Sequence, residues 1–163
     1  MGNIRRFYEE NAAYFLTTVT ENRVPMFKDP KKCQILLITM EYFKLILDYR
    51  LYGFCIMPDH LHLIIHPFGK YDFSYIMKML KGSFARKLNK INDKEGKIWQ
   101  RKFYDKCISD SYELVRELEY MHNNPVKANL VSSPEEYPYS SYNHYFDTDF
   151  TPTPIIEVDK PDL

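Results

Sequence analysis

The sequence is short of several things, and each shortage closes off a class of protein. It has only three cysteines, Cys33, Cys55 and Cys107, odd in number and far apart. They make neither a disulfide framework nor a zinc knuckle, so reduced thiols and a cytoplasmic location are the expectation. No apolar run approaches the ~20 residues that cross a bilayer. The first residues, Met1 to Phe7, lack the apolar core of a signal peptide, and Gly2 opens no myristoylation pattern. No membrane partner is therefore expected. There is no internal repeat. Net charge is zero, so the chain as a whole carries no field of one sign.

What is present fits one folded domain. Of 163 residues, 45% are apolar and 16% aromatic, enough for a real core. The zero net charge hides an asymmetry. From Lys70 to Lys106 there are eleven Lys and Arg against four Asp and Glu; from Asp110 to Leu163 there are three against eleven. A local basic surface is what a phosphate backbone needs, whatever the total. The division expected is a domain over residues 1–145 and an acidic, proline-containing tail over 146–163. The segment from Ser132 onward has no clear period, and wrapping of the domain or mobility is expected of it. Its charge also makes it a candidate cover for the basic surface.

Periodicity supplies the elements. Ala12 to Thr20 is β-branched and aromatic and reads as a strand. Asp29-Pro30 starts a helix that runs to about Tyr49. Leu51–Met57 and His60–Pro67 read as strands joined by a Pro58-Asp59 turn, an antiparallel hairpin. Asp72 to about Asn92 is helical, with Lys78, Lys81, Arg86 and Lys87 away from its apolar side. Trp99 to Ile108 is a fourth strand. Ser111 caps a helix to about Asn124, ahead of Pro125. The order implies an α+β, ferredoxin-like sandwich, a mostly antiparallel sheet with helices packed on one face.

The most informative stretch is Asp59-His60-Leu61-His62-Leu63-Ile64. Strand side chains alternate, so His60 and His62 share one face while Leu61, Leu63 and Ile65 share the other. Paired imidazoles suggest half of a metal site. On the last helix Tyr120 and Asn124 stand at i and i+4, one above the other. Asn124 offers a carbonyl oxygen suited to Mg²⁺ or Mn²⁺. If the two faces meet, the set suits phosphodiester cleavage. Tyr120 would attack phosphorus, expel a 3′-hydroxyl and keep the 5′-phosphate, so that the strand can be rejoined elsewhere. The base that takes the phenolic proton is not legible. Tyr104 and Tyr112 are rival tyrosines. His66, on the same strand face, reads as a strand-end residue, and His122 and His144 as surface residues. Trp99, Phe103 and Tyr104 lie among Arg101, Lys102 and Lys106; such aromatics either stack on unpaired bases or fill the core.

Met57-Pro58-Asp59-His60-Leu61-His62-Leu63-Ile64, Trp99-Gln100-Arg101-Lys102-Phe103 and Tyr120-Met121-His122-Asn123-Asn124-Pro125-Val126-Lys127-Ala128 occur in this order. With Tyr137-Pro138-Tyr139-Ser140-Ser141-Tyr142, they resemble the HUH single-tyrosine transposases, and within them the REP-associated tyrosine branch. The resemblance covers roughly residues 10 to 145. It implies a ferredoxin-like fold, a divalent metal (Mg²⁺ or Mn²⁺), and single-stranded, hairpin-forming DNA as substrate. It also implies His60, His62 and Asn124 as metal ligands and Tyr120 as nucleophile. Asp59 stands where Asn is frequent in that family. Lys78, Lys81, Arg86, Lys87, Arg101 and Lys102 are the candidate DNA contacts, and the chain is expected as monomer or homodimer. A non-catalytic single-strand binding module is the competing reading. A hydrolase with a His-x-His-x-His nucleophile is disfavoured, because the third position is Ile64. A closed structural zinc site is disfavoured by the donor set.

Overall fold

A computed structural model describes residues 8–162. Met1 to Phe7, on which the expectation of no targeting signal rests, lie outside the described residues. The elements run β1 (Ala13–Val19), α1 (Pro30–Ile46), β2 (Tyr49–Met57), β3 (His60–Pro67), α2 (Phe73–Asn92), β4 (Tyr104–Ile108), α3 (Ser111–Lys127) and a single turn, α4 (Tyr142–Tyr145). The strands form one sheet in the order β2-β3-β1-β4, and each neighbouring pair is antiparallel. This is the α+β arrangement expected from the sequence.

Each long helix begins at an aspartate that accepts a hydrogen bond from a first-turn N–H. Asp29 takes Lys31 N at 3.0 Å, Asp72 takes Tyr75 N at 2.8 Å and Asp110 takes Glu113 N at 2.8 Å. These caps satisfy donors the helix itself leaves unpaired. For α3 the cap is therefore Asp110 rather than Ser111. α3 also runs one residue pair beyond Pro125, to Lys127. Proline here lacks only the N–H that would have met the Met121 carbonyl, and the final turn closes through Ala128 N to Asn124 O at 2.9 Å. β4 starts at Tyr104, later than expected. Trp99 makes only an isolated bridge to Thr20, and its ring packs on Phe27 and Phe84. Of its two readings, the core one holds.

Strand alternation divides the core in two. Leu16, Phe54, Ile56, Leu61, Leu63 and Ile65 face α1 and α2, which supply Leu36, Leu37, Met40, Phe43, Ile76, Leu80 and Phe84. Each such buried side chain contributes ~1.5–3 kcal/mol. These two helices share one face, as expected. α3 lies on the other, where Leu114, Leu118 and Met121 pack on Phe15, Cys55, Met57 and Ile64. That placement departs from a one-sided helical layer. The amphipathic α3 needs an apolar surface, and the second sheet face offers one beside the histidines.

The tail wraps rather than wanders. Ile56 N donates to Tyr139 O, and Ser141 N to Phe54 O. Asp159 accepts from Leu51 N at 2.8 Å and pairs with Lys44 at 3.1 Å, while Ile156 is buried in the core. These contacts seal the outer edge of β2, which would otherwise present unpaired backbone groups. They run along β2 and α1, not over the basic side of α2, so the idea of an acidic cover for that helix is not met by these contacts.

Candidate functional site

β3 opens with His60 directly after the Pro58-Asp59 turn. The register pairs His60 with Val19 and His62 with Thr17, so Phe15, Thr17, His60 and His62 share the face that meets α3. Tyr104 and Lys106 join them from β4, opposite Thr17 and Phe15. His60 Nε2 and His62 Nε2 stand 3.1 Å apart. The Asn124 amide nitrogen, Nδ2, is 2.8 Å from His62 Nε2. Tyr120, one helical turn earlier, sets its ring edge-on to His62 and Phe15, with centroids 6.1 and 6.0 Å away. The packing of α3 thus unites both imidazoles, the amide and the phenol.

The electrostatics suit a cation. Burial, and then the neighbouring His60, push the His62 imidazole down to about 3, so it is neutral at pH 7. Thr17 Oγ1 lies 2.7 Å from His62 Nδ1, and Asp59 Oδ1 lies 2.6 Å from His60 Nδ1. Both Nε2 atoms are therefore turned inward. Two nitrogen donors at right angles about an ion, each ~2.1 Å from it, stand about 3 Å apart. The Nε2 spacing fits that, and the Asn124 amide, one turn from the phenol, meets His62 Nε2 through its nitrogen. Among the described residues no three His, Cys, Asp or Glu side chains converge, and the Asn124 amide is the further polar group in contact with His62 Nε2.

The site opens into a groove of about 420 Å³ lined by Phe15, Thr17, His62, Tyr104, Lys106, Glu117 and Tyr120. Tyr120 is 51% exposed, unlike a core tyrosine, so a substrate can reach it. Lys106 is neutralised by Glu113 at 2.9 Å and Glu117 at 2.7 Å. Glu117, Thr17 and Phe15 were not singled out in the sequence. Alternation along β1 and β4 would have found Thr17 and Phe15, and Glu117 stands one turn before Tyr120. Of the rival tyrosines, Tyr104 lines this groove and Tyr112 does not.

The candidate DNA contacts divide by location. α2 covers the far face of the sheet, and Lys78, Arg86 and Lys87 stand exposed on it. Lys81 reaches back, donating to Gln100 O at 2.9 Å with its ammonium over the Phe103 ring. Gln100 N donates to Val19 O at 2.8 Å, which brings the exposed Arg101 and Lys102 to the end of the sheet where His60 lies. His66 is a strand-end residue tied to Tyr52 and Asn11, both at 3.0 Å. His122 is not at the surface. It is buried on the back of α3 under the wrapped tail, with Nε2 2.7 Å from Ser141 Oγ. His144 is partly buried in the same way.

Comparison with known proteins agrees with the fold and the motifs. Residues 9–124 match the family described as "Transposase IS200 like". A Haemophilus influenzae protein assigned to the REP-associated tyrosine transposases is 29% identical, over 88% of this chain and 86% of its own. The REP-associated tyrosine transposase of Escherichia coli K12 is 25% identical, over 88% and 84%. Among solved structures, a REP-associated tyrosine transposase bound to a REP hairpin superposes with a TM-score of 0.79 at 23% identity, covering 100% of this chain and 95% of that one. A transposase-like protein of Deinococcus radiodurans gives 0.53 at 19% identity, over 75% and 97%. The chain belongs to the IS200-like transposase family, and the relatives it matches along most of its length are REP-associated tyrosine transposases.

Proposed function

We propose that this transposase-family protein cleaves and rejoins single-stranded DNA through a covalent bond to Tyr120, with a divalent cation, Mg²⁺ or Mn²⁺, held by His60, His62 and Asn124. The observation that carries the reading is α3. One of its faces sets an accessible phenol and an amide, one turn apart, against two inward-turned imidazole nitrogens. When bound, the cation supplies polarisation of the scissile phosphate and neutralises charge on its oxygens. Tyr120 Oη attacks phosphorus as the P–O3′ bond breaks. The proton lost by the phenol balances the one gained by the departing 3′-hydroxyl. The 5′-phosphate stays on Tyr120 as a diester, and a second 3′-hydroxyl reverses the step on a new end.

The relatives and the surface together support the substrate class. A hairpin-bound neighbour shares this fold, and the open groove beside Tyr104 admits an unpaired strand. Arg101 and Lys102, at the His60 end, are the nearest exposed cations of the candidate set for a phosphate backbone. Lys78, Lys81, Arg86 and Lys87 serve a duplex stem that passes around to α2.

The test is covalent trapping. Labelled hairpin DNA with single-stranded flanks is mixed with protein and Mn²⁺ or a chelator, then run on a denaturing gel. An adduct is expected with wild type and Mn²⁺, and none with chelator or with Tyr120→Phe. DNA binding without any adduct would favour a non-catalytic binding module. An adduct that persists in Tyr120→Phe would move the nucleophile to another tyrosine, Tyr104 first.

A further inference from the structure

Asp59 stands just outside the imidazole pair, and both of its carboxylate oxygens are engaged. Oδ1 lies 2.6 Å from His60 Nδ1, and Oδ2 lies 3.1 Å from Arg23 Nη1. Its carbonyl accepts from Thr20 N at 2.9 Å and Thr20 Oγ1 at 3.0 Å. The β2–β3 turn is thus pinned to the end of β1 through both backbone and side chain. Arg23 arrives from a short 3₁₀ turn, Glu21–Arg23, where Asn22 and Arg23 have φ of 55° and 51°. Two successive non-glycine residues in the left-handed region are disfavoured, and such a backbone persists only where its surroundings hold it.

The consequence lies in the tautomer of His60. An ionised carboxylate only accepts, so the proton it meets is on Nδ1. A neutral imidazole carries one ring proton, which leaves Nε2 as a bare lone pair facing His62 Nε2 at 3.1 Å. His62 is held differently. Its Nδ1 partner is the Thr17 hydroxyl at 2.7 Å, which both donates and accepts, while its Nε2 faces the Asn124 amide nitrogen at 2.8 Å, which only donates. His60 is thus held by a carboxylate, and His62 by a hydroxyl and an amide.

We propose that Asp59, itself held by Arg23, is a positioning residue that fixes His60 in its Nδ1–H tautomer and ring orientation, so that Nε2 is presented to the divalent cation. This rests on the reading of His60 as a ligand given above. Carboxylate partners of this kind raise ligand basicity and cut the entropy of ring ordering, and their loss costs ~10–100-fold in metal affinity.

Two readouts test it without any turnover. Nitrogen-15 NMR of histidine-labelled, metal-free protein reports the His60 tautomer directly. Mn²⁺ titration followed by electron paramagnetic resonance reports affinity. Wild type should show His60 as Nδ1–H. Asp59→Ala should shift His60 toward a tautomer mixture and weaken Mn²⁺ by ~10–100-fold. Asp59→Asn keeps an oxygen acceptor and should recover much of both. Arg23→Ala, which leaves the turn and the carboxylate in place, should weaken Mn²⁺ less than Asp59→Ala and guards against a variant that fails to fold. If Asp59 served only the turn, melting temperature would fall in Asp59→Ala with the tautomer unchanged and Mn²⁺ affinity intact, and the proposal would be overturned. Wild type with His60 as Nε2–H would overturn it too. Wild type that binds no Mn²⁺ at all would instead sink the ligand reading on which it rests.

Discussion

Gly53→Ala puts one methyl group into the seam between β2 and α3, and it should weaken stability and chemistry together. A Cβ at Gly53 would meet Met121 Cε at 2.5 Å, Leu118 Cδ2 at 2.7 Å and Ser141 Oγ at 3.3 Å. Ordinary contact begins at 3.4 Å, so the two apolar side chains must yield by about 0.7–0.9 Å. Both are flexible at their ends, and rotation relieves part of the clash. Both are also buried between helix and sheet, so the remainder lifts α3. Overpacking of this kind costs ~1–3 kcal/mol. Tyr120 and Asn124 ride on α3 while His60 and His62 stay with the sheet, so the lift opens the site. A misplacement near 1 Å costs ~100-fold in rate, and a partly relieved one about 10-fold or more. The assay is a urea unfolding curve beside single-turnover adduct formation with Mn²⁺. A lower urea midpoint and a slower adduct are expected, with the His60 NMR signature unchanged. A midpoint and adduct rate equal to wild type would refute the claim that Gly53 sets the seat of α3.

Three further outcomes follow from the same contacts. Burial, then His144, lower the His122 imidazole to about 4, whereas the unfolded chain protonates it near pH 6.5. The unfolded state thus binds the extra proton between those values, and stability falls as pH drops from about 6.5 to 4, by up to about 3 kcal/mol; His122→Gln should flatten that part of a stability–pH curve, and an unaltered slope would contradict it. Removal of residues 146–163 takes away buried Ile156 and the Asp159 contacts to Leu51 and Lys44. It should cost ~2–5 kcal/mol, on the scale of a core Ile→Ala change, with no gain in DNA affinity at low salt; a truncated protein of unchanged urea midpoint would show the strap to be idle. Arg101→Ala and Lys102→Ala should each reduce the slope of log affinity against log salt for hairpin DNA by ~1, and a slope that does not move would remove that residue from the phosphate path.

The sequence alone determined the local units and the chemistry they carry. Two-residue alternation put His60 and His62 on one strand face, and 3.6-residue periodicity put Tyr120 above Asn124, because both repeats are properties of the backbone and need no partner. The Asp29 cap was legible too, because aspartate followed by proline is a local helix-start signal, whereas Asp72 reads in the sequence as part of its helix. Which faces meet was not. α3 could have joined α1 and α2, and only the apolar second face of the sheet, with Gly53 leaving room for Met121 and Leu118, brings it over the histidines. The burial of His122 depends on a tail with no period of its own, which is held by hydrogen bonds from β2 and by Ile156. The Arg23–Asp59–His60 chain joins residues 36 and 1 position apart. Its first link has no local signal, since a left-handed arginine is imposed by tertiary contacts rather than by anything the arginine itself prefers.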